Sequence, residues 1–297
     1  HNAVEWILQR AAKKHNARLL IVLPSGGGKT IIAATILALT VGRHEQAHAT
    51  FVAHREELFE QMDTACRLVG IPPTTVGGRI YLARPKNIQM NRDVAVADVV
   101  ITDESHRDAG PYRRAFRQLY ENTLRIGFTA TPERLDGKAL REDYDEMLVA
   151  AQPSELIAGG HIVAPTIFTV PPTMLPDLRR ARVSNGEFVG GDIEQFMSTK
   201  AIMGNVVEHW CARAENRQTL VFACSVVHAR KLVVEFARNG VDAGYVAGAF
   251  TKRERRDMID SFKAREFPVL ISCDLLSEGL DIPDVKCVVM ARPTASL

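Results

Sequence analysis

Paired cysteines, long apolar runs and an excess of either charge are all missing from this sequence of 297 residues. The five cysteines (Cys66, Cys211, Cys224, Cys273 and Cys287) are scattered, with no Cys-x-x-Cys pair. That argues against a disulfide framework or a zinc cluster and for a reducing compartment. No apolar run approaches the length of a membrane span, and no signal peptide opens the chain, so a cytoplasmic protein is expected. Lysine and arginine number 37 against 35 acidic residues, a formal net charge of +2. Bulk electrostatics therefore does not announce a nucleic-acid binder, and any such surface is local. His44 and His48 have helical spacing but sit in a polar connection with nothing nearby to complete a metal-ligand set.

What is present is an ordinary globular composition, 46% apolar and 24% charged, with length enough for two domains. The chain is organised around Leu19 to Thr30, LLIVLPSGGGKT. Five apolar residues have the length and branching of a buried strand. They break at Pro24 into Ser25, Gly26, Gly27 and Gly28, after which Lys29 and Thr30 open a helical pattern. Such a turn lets backbone N–H groups and the following helix start converge on an anion. In that reading Lys29 reaches the β- and γ-phosphates of a nucleotide and Thr30 offers its hydroxyl to Mg²⁺. The strict phosphate-loop pattern has glycine where Leu23 stands, and a plain Gly-rich turn is the competing reading.

Helical periodicity covers Val4–Lys14, Lys29–Thr40 and Arg55–Leu68, with strands at Leu19–Leu23 and Thr50–Ala53. Ile71–Asn91 is irregular, punctuated by Pro72-Pro73 and Gly77-Gly78. A strand over Val94–Thr102 precedes Asp103-Glu104-Ser105-His106, and a helix at Tyr112–Tyr120 leads to a strand at Leu124–Phe128. Strands alternating with helices imply an α/β, doubly wound parallel sheet, with ligand sites beyond the carboxyl ends of its strands. A helix over Pro153–Gly160 and a strand over Ile162–Val170 follow, then an aperiodic excursion at 171–192 carrying Arg179, Arg180 and Arg182. A second alternating unit runs on from Ile202. The expected division is 1–150 and 151–297.

Asp103 and Glu104 end the strand Val99-Val100-Ile101-Thr102. There one carboxylate suits water-mediated Mg²⁺ binding and its neighbour suits orienting and deprotonating an attacking water. A helix N-cap cluster is the plainer reading of the pair alone. Coupled to a phosphate loop in the same domain, the metal-and-base reading prevails. His106 is then placed to report the state of the nucleotide.

The order PSGGGKT, VAHREEL, DESH, GFTATPERLDG, LVFACS and SCDLLSEGLDIP resembles a superfamily 2 helicase of the DEAD/DEAH-box type, bacterial or phage-like, over essentially the whole chain. The resemblance implies two RecA-like domains, with ATP in the cleft between them and nucleic acid across both. It implies that Pro24, Ser25, Gly26, Gly27, Gly28, Lys29 and Thr30 hold the phosphates and Mg²⁺, with Asp103 as metal ligand and Glu104 as base. Thr129 and Thr131 match the motif that couples hydrolysis to domain movement, or else cap the turn before Pro132. His54 and Arg55 match a segment touching the nucleic-acid backbone, as do Phe222 and Ser225 in the second domain. Thr251 either caps its helix or touches a phosphate. Gly279 and Asp281 match the motif that closes on the nucleotide.

Three departures stand out. No residue matches the family's adenine-reading Gln, the arginine-finger segment has no counterpart, and no Thr-x-Gln-Ser-type segment lies between Gly78 and Asp98. A fragment of a longer protein is the expectation. The resemblance implies an ATP-dependent helicase or translocase, with DNA favoured over RNA and binding that is backbone-directed and sequence-independent, in the cytoplasm of a bacterium or phage-infected cell and serving DNA repair or replication. Rival readings are a restriction-system motor, an ATP-gated nucleic-acid clamp or annealing module with little turnover, and a small-molecule P-loop kinase.

Overall fold

The computed structural model describes residues 2–72, 75–90, 97–107, 110–132, 140–169, 177–179, 181–184, 187–273, 282 and 284–293. Two compact units divide the chain, residues 1–166 and 167–297.

The first unit runs α1 (Asn2–Lys13), β1 (Arg18–Val22), α2 (Lys29–Val41), β2 (Ala49–Val52), α3 (Glu56–Leu68), β3 (Ile80–Ala83), α4 (Pro85–Gln89), β4 (Val99–Thr102), α5 (Gly110–Leu119), β5 (Leu124–Thr129), β6 (Glu146–Val149) and α6 (Pro153–Ala158). Its six strands are parallel in the order β3-β2-β4-β5-β1-β6. Alternation along the strands sends Phe51, Ile101, Ile126, Leu19 and Ile21 to a core shared with α2 and α3. Val52 and Val100 point the other way, onto Tyr112 and Phe116 of α5 and Tyr120 just after it. Both faces are thus covered, which is why β1, β2, β4 and β5 read as near-continuous apolar runs.

Three elements differ from the sequence reading. β3 and α4 form within the stretch read as irregular, and β6 pairs with β1 although its residues are mostly exposed. These are short edge pieces, and edge strands owe their existence to the neighbour they pair with more than to their own pattern. The strand expected at Ile162–Val170 does not form across 162–169; Val163, Ile167 and Phe168 are exposed, and Pro165 has no N–H for a ladder. The division between units falls after residue 166 rather than near 150. α6 folds back through His161 and Ile162 amides donating to Leu156 O, and Ile162 packs so closely on Gly26 that a Cβ there would lie 2.9 Å from its side chain.

The second unit holds β7 (Val183–Ser184), β8 (Glu187–Phe188), α7 (Gly190–Met197), α8 (Lys200–Arg213), β9 (Thr219–Ala223), α9 (Val226–Arg238), β10 (Ala243–Val246), α10 (Lys252–Lys263), β11 (Val269–Cys273) and β12 (Cys287–Ala291). β10-β11-β9-β12 form a parallel sheet, and β7 and β8 an antiparallel hairpin inside the segment expected to be aperiodic. Val221, Ile271 and Val289 face Val207, Trp210, Leu232 and Phe236, while Leu220 and Leu270 face Phe262.

His228, on α9, is fully buried beside Cys224, whose Sγ lies 3.2 Å from its Nδ1. Desolvation lowers its pKa from the ordinary 6.5 to about 4. The unfolded chain therefore binds more protons than the folded unit between those values, and stability declines as pH falls through that window. Thermal unfolding of the second unit should show a loss of about 2 kcal/mol on going from about pH 7 to about pH 5. A flat profile in which His228→Gln changes nothing would show that the imidazole is not held neutral.

Candidate nucleotide and catalytic site

The strand order does the assembly. β4, β5 and β1 are neighbours, so the segments beyond their carboxyl ends meet although they are far apart in sequence. These are the acidic box after β4, Thr129 to Thr131 after β5, and the glycine turn after β1.

The glycine turn is shaped by backbone geometry. Gly26 and Gly28 have φ of +78° and +89°, a region side chains rarely occupy. Gly27 N–H donates to Pro24 O at 3.1 Å, and the Leu23 amide is tied to Thr129 O at 2.9 Å. Leu23, where the strict motif has glycine, is buried beneath the turn; a Cβ on Gly27 would come 2.7 Å from its Cγ. Here the apolar side chain fills space and the glycine above it supplies the clearance. α2 starts at Lys29 with Gly28 as a cap that offers no side chain, so the amides of its first turn face outward toward the turn.

Lys29 is the polar centre of this arrangement. Its Nζ is buried, makes no hydrogen bond among the described residues, and lies 3.6 Å from Glu104 Oε1. That separation is an ion pair across a gap, too long for a hydrogen bond. A buried ammonium so poorly satisfied fits an oxyanion as its missing partner. Thr30 follows it on α2, partly buried.

Glu104 carries the arrangement onward. Its other oxygen lies 3.3 Å from His106 Nδ1, which is also 3.1 Å from Thr129 Oγ1. The Thr129 hydroxyl donates to Thr131 O at 2.6 Å and accepts from Thr131 N–H at 3.1 Å. With its proton committed to Thr131, Thr129 accepts from His106, which assigns the Nδ1–H tautomer. Lys29, Glu104, His106, Thr129 and the Thr131 backbone thus form one polar chain across three strand ends. The turn-capping reading of Thr129 is seen in these bonds, to which Thr131 contributes its main chain. Asp103 Oδ1 accepts from the Glu104 amide at 2.9 Å, while the Asp103 amide is fixed to Val52 O at 3.0 Å.

His54 and Arg55 lie at the same end of the sheet, beyond β2. Arg55 begins α3 without a side-chain cap, and the His54 ring meets Tyr112 edge-on at 6.5 Å. In the second unit the residues divide differently. Phe222 is partly buried in the cluster around Leu220 and Phe262, a packing role. Ser225 caps α9, its Oγ accepting from His228 N–H at 3.0 Å. Thr251 caps its helix: it forms a reciprocal capping box with Glu254, with Oγ1 accepting from Glu254 N–H at 3.2 Å. Arg179 and Arg182 pair with Asp177 and Asp192. Gly279, Asp281 and Arg180 lie outside the described residues.

One feature had no sequence signal. Glu104 adopts φ +50°, the left-handed region, which costs a non-glycine residue of order 1 kcal/mol or more. The strain turns the carboxylate toward Lys29 and His106. Glu104→Gly and Glu104→Ala both remove the carboxylate, so the strain alone separates them: in denaturant titration of the first unit the glycine variant should be the more stable by about 1 kcal/mol. Equal stability of the two variants would show that the left-handed backbone costs nothing.

The comparisons agree with this geometry. Residues 1–97 match the family model described as type III restriction enzyme, res subunit, and residues 200–297 that described as helicase conserved C-terminal domain. A 51.5 kDa protein of a Lactococcus phage is 28% identical over 279 residues, covering 94% of this chain and 60% of that protein. A Schizosaccharomyces pombe protein provisionally named mitochondrial ATP-dependent helicase irc3 is 29% identical over 296 residues, covering 91% and 48%. The chain thus spans about half the length of the curated relatives it matches. The helicase domain of Pyrococcus furiosus Hef superposes with a TM-score of 0.55 at 19% identity, covering 98% of this chain and 90% of that one, a likeness of fold. Two parallel α/β units, the motif order along them and both family models agree with the resemblance to superfamily 2 helicases.

Proposed function

We propose that this chain is the ATP-hydrolysing core of a helicase or translocase that moves along nucleic acid, DNA in preference to RNA. The observation that carries the reading is the buried, hydrogen-bond-poor Lys29 ammonium held 3.6 Å from Glu104 beside an uncapped helix start. The γ-phosphate of ATP is the oxyanion that such a pair accommodates, Lys29 turning from the carboxylate to the phosphate.

In this scheme the amides of the turn and of the first residues of α2 bind the phosphates, and Glu104 is released to orient a water and take its proton. Thr30 and Asp103 supply oxygen donors suited to Mg²⁺, which when bound neutralises charge developing on the phosphates. His106, hydrogen-bonded to Thr129 and near Glu104, conveys the occupancy of the site to the segment after β5. His54 and Arg55 offer a helix start and a guanidinium to the phosphodiester backbone, an interaction that ignores sequence and weakens with salt. Gly279 and Asp281 are proposed to close on the nucleotide from the second unit. Cytoplasmic location, in a bacterium or a phage-infected cell, goes with this reading.

The match of residues 1–97 to the restriction-subunit model favours one second reading, the motor of a restriction system. Both use the same engine; a nuclease or target-recognition domain in the longer protein would distinguish them. An ATP-gated clamp is the reading to which failure of turnover would lead.

ATP turnover by the full-length protein should be measured without polymer and with single-stranded DNA, double-stranded DNA and RNA. Strong stimulation by DNA is expected. Glu104→Gln should reduce turnover by about 100-fold or more with nucleotide binding retained. Lys29→Ala should weaken nucleotide binding as well as turnover. DNA binding with no stimulated turnover would replace the motor by the clamp.

A further inference from the structure

At the opposite end of the first sheet, away from the nucleotide site, five arginines gather. Arg18 opens β1 and stands in register with Arg125 on β5. Arg113, Arg114 and Arg117 come from one stretch of α5. The nearby carboxylates are already engaged. Asp145 takes Arg18 Nε at 2.9 Å and Lys14 at 2.8 Å. Asp143 receives Arg113 Nε on both oxygens at 2.8 Å and Arg117 Nε at 2.7 Å.

Arg125 is left over. It is only 8% exposed, its Nε has no hydrogen-bond partner, and no carboxylate lies within ion-pair reach of its guanidinium among the described residues. Desolvation, followed by the charge of Arg18, lowers its pKa. Asp143 and Tyr144 act on it only at longer range, and a cation buried this deeply with no ion pair among the described residues is costly unless a closer anion answers it. The residue borders a cavity of about 20 Å³, the space of one water, together with Ser105, Asp143 and Tyr144. It also lines a larger, open cavity of about 480 Å³. Around that larger space stand Arg18, Arg114, Arg117 and Arg125, against only Glu121 and Glu142. Arg18 and Arg117 are already paired with Asp145 and Asp143, and Glu142 with Arg113, which leaves Arg114 and Arg125 against Glu121, a net positive lining.

We propose that this cavity is a binding site for a phosphate group, separate from the nucleotide site. A net positive lining suits an anion, and guanidinium forks suit the tetrahedral oxygens of a phosphate. The site is independent of the ATPase reading, since its residues lie at the other end of the strands. Arg125 and Thr129 are four residues apart on β5, about 13 Å. The phosphate could be free, carried by a small molecule, or part of a nucleic-acid backbone; the chemistry is shared.

The glycine turn also attracts phosphate, so the test uses the full chain in a Lys29→Ala background. Calorimetric titration with inorganic phosphate at constant ionic strength should show saturable binding. Arg125→Met should weaken it by about tenfold or more, with circular dichroism reporting the fold. Arg114→Ala, at an exposed position, should weaken it too and guards against a folding artefact. No saturable binding, equal binding in all variants, or equally strong binding of acetate would overturn the proposal. A parallel titration with a single-stranded oligodeoxynucleotide identifies the source. If Arg114→Ala lowers its affinity and flattens its salt dependence, the backbone supplies the phosphate; if only inorganic phosphate is affected, a free or small-molecule phosphate does. Either result supports the site.

Discussion

The adjacency of β4, β5 and β1 in the parallel sheet is the constraint on which the candidate site depends. Parallel strands put all their carboxyl ends on one edge, and this order puts three of the motif-bearing ends next to one another. Lys29 and Glu104 meet because β5 separates their strands by a single position, and Thr129 at the end of β5 closes the line through His106. Moving any one of these strands to another place in the sheet would leave a buried lysine without a counter-charge.

Within that frame the site is held ready at a local cost. The left-handed Glu104, the positive-φ glycines and the poorly satisfied Lys29 are each unfavourable taken singly. The surrounding apolar layers, with Leu19, Ile21, Phe51, Ile101 and Ile126 on one face and Val52, Val100 and Tyr112 on the other, hold the strand ends in place against that cost. The two ends of the sheet then take different tasks. One gathers a lysine, carboxylates and open helix starts; the other gathers arginines around salt-bridged Asp143 and Asp145.

The residues assigned to nucleic acid show how a motif match and a local role coexist. Ser225 and Thr251 each satisfy an amide at the start of a helix, and Phe222 packs against Leu220 and Phe262. Capping and packing fix where α9 and α10 begin. His54 and Arg55 differ, because the start of α3 has no side-chain cap and lies at the same sheet edge as the acidic box.

By itself the sequence determined the alternation of buried strands and helices, the glycine turn, the acidic box and the family resemblance. Each is a local pattern: runs of branched apolar residues, spacing of glycines before Lys29, carboxylates at a strand end. The edge strands β3 and β6 were not legible, because their conformation comes from the strand they lie beside rather than from their own residues, and short α4 owes its place to Ile88 packing with Tyr112 and Phe116 of α5. The strand expected from Ile162 is the converse, an apolar stretch that joins no sheet over 162–169. Only the tertiary structure decided that His106 bonds Thr129, that Leu23 fits beneath Gly27, that Glu104 is strained and that Arg125 is buried among arginines with no ion pair among the described residues. All four depend on which strands become neighbours, and strand order is set by the packing of both sheet faces, a property of the whole unit that no local stretch contains.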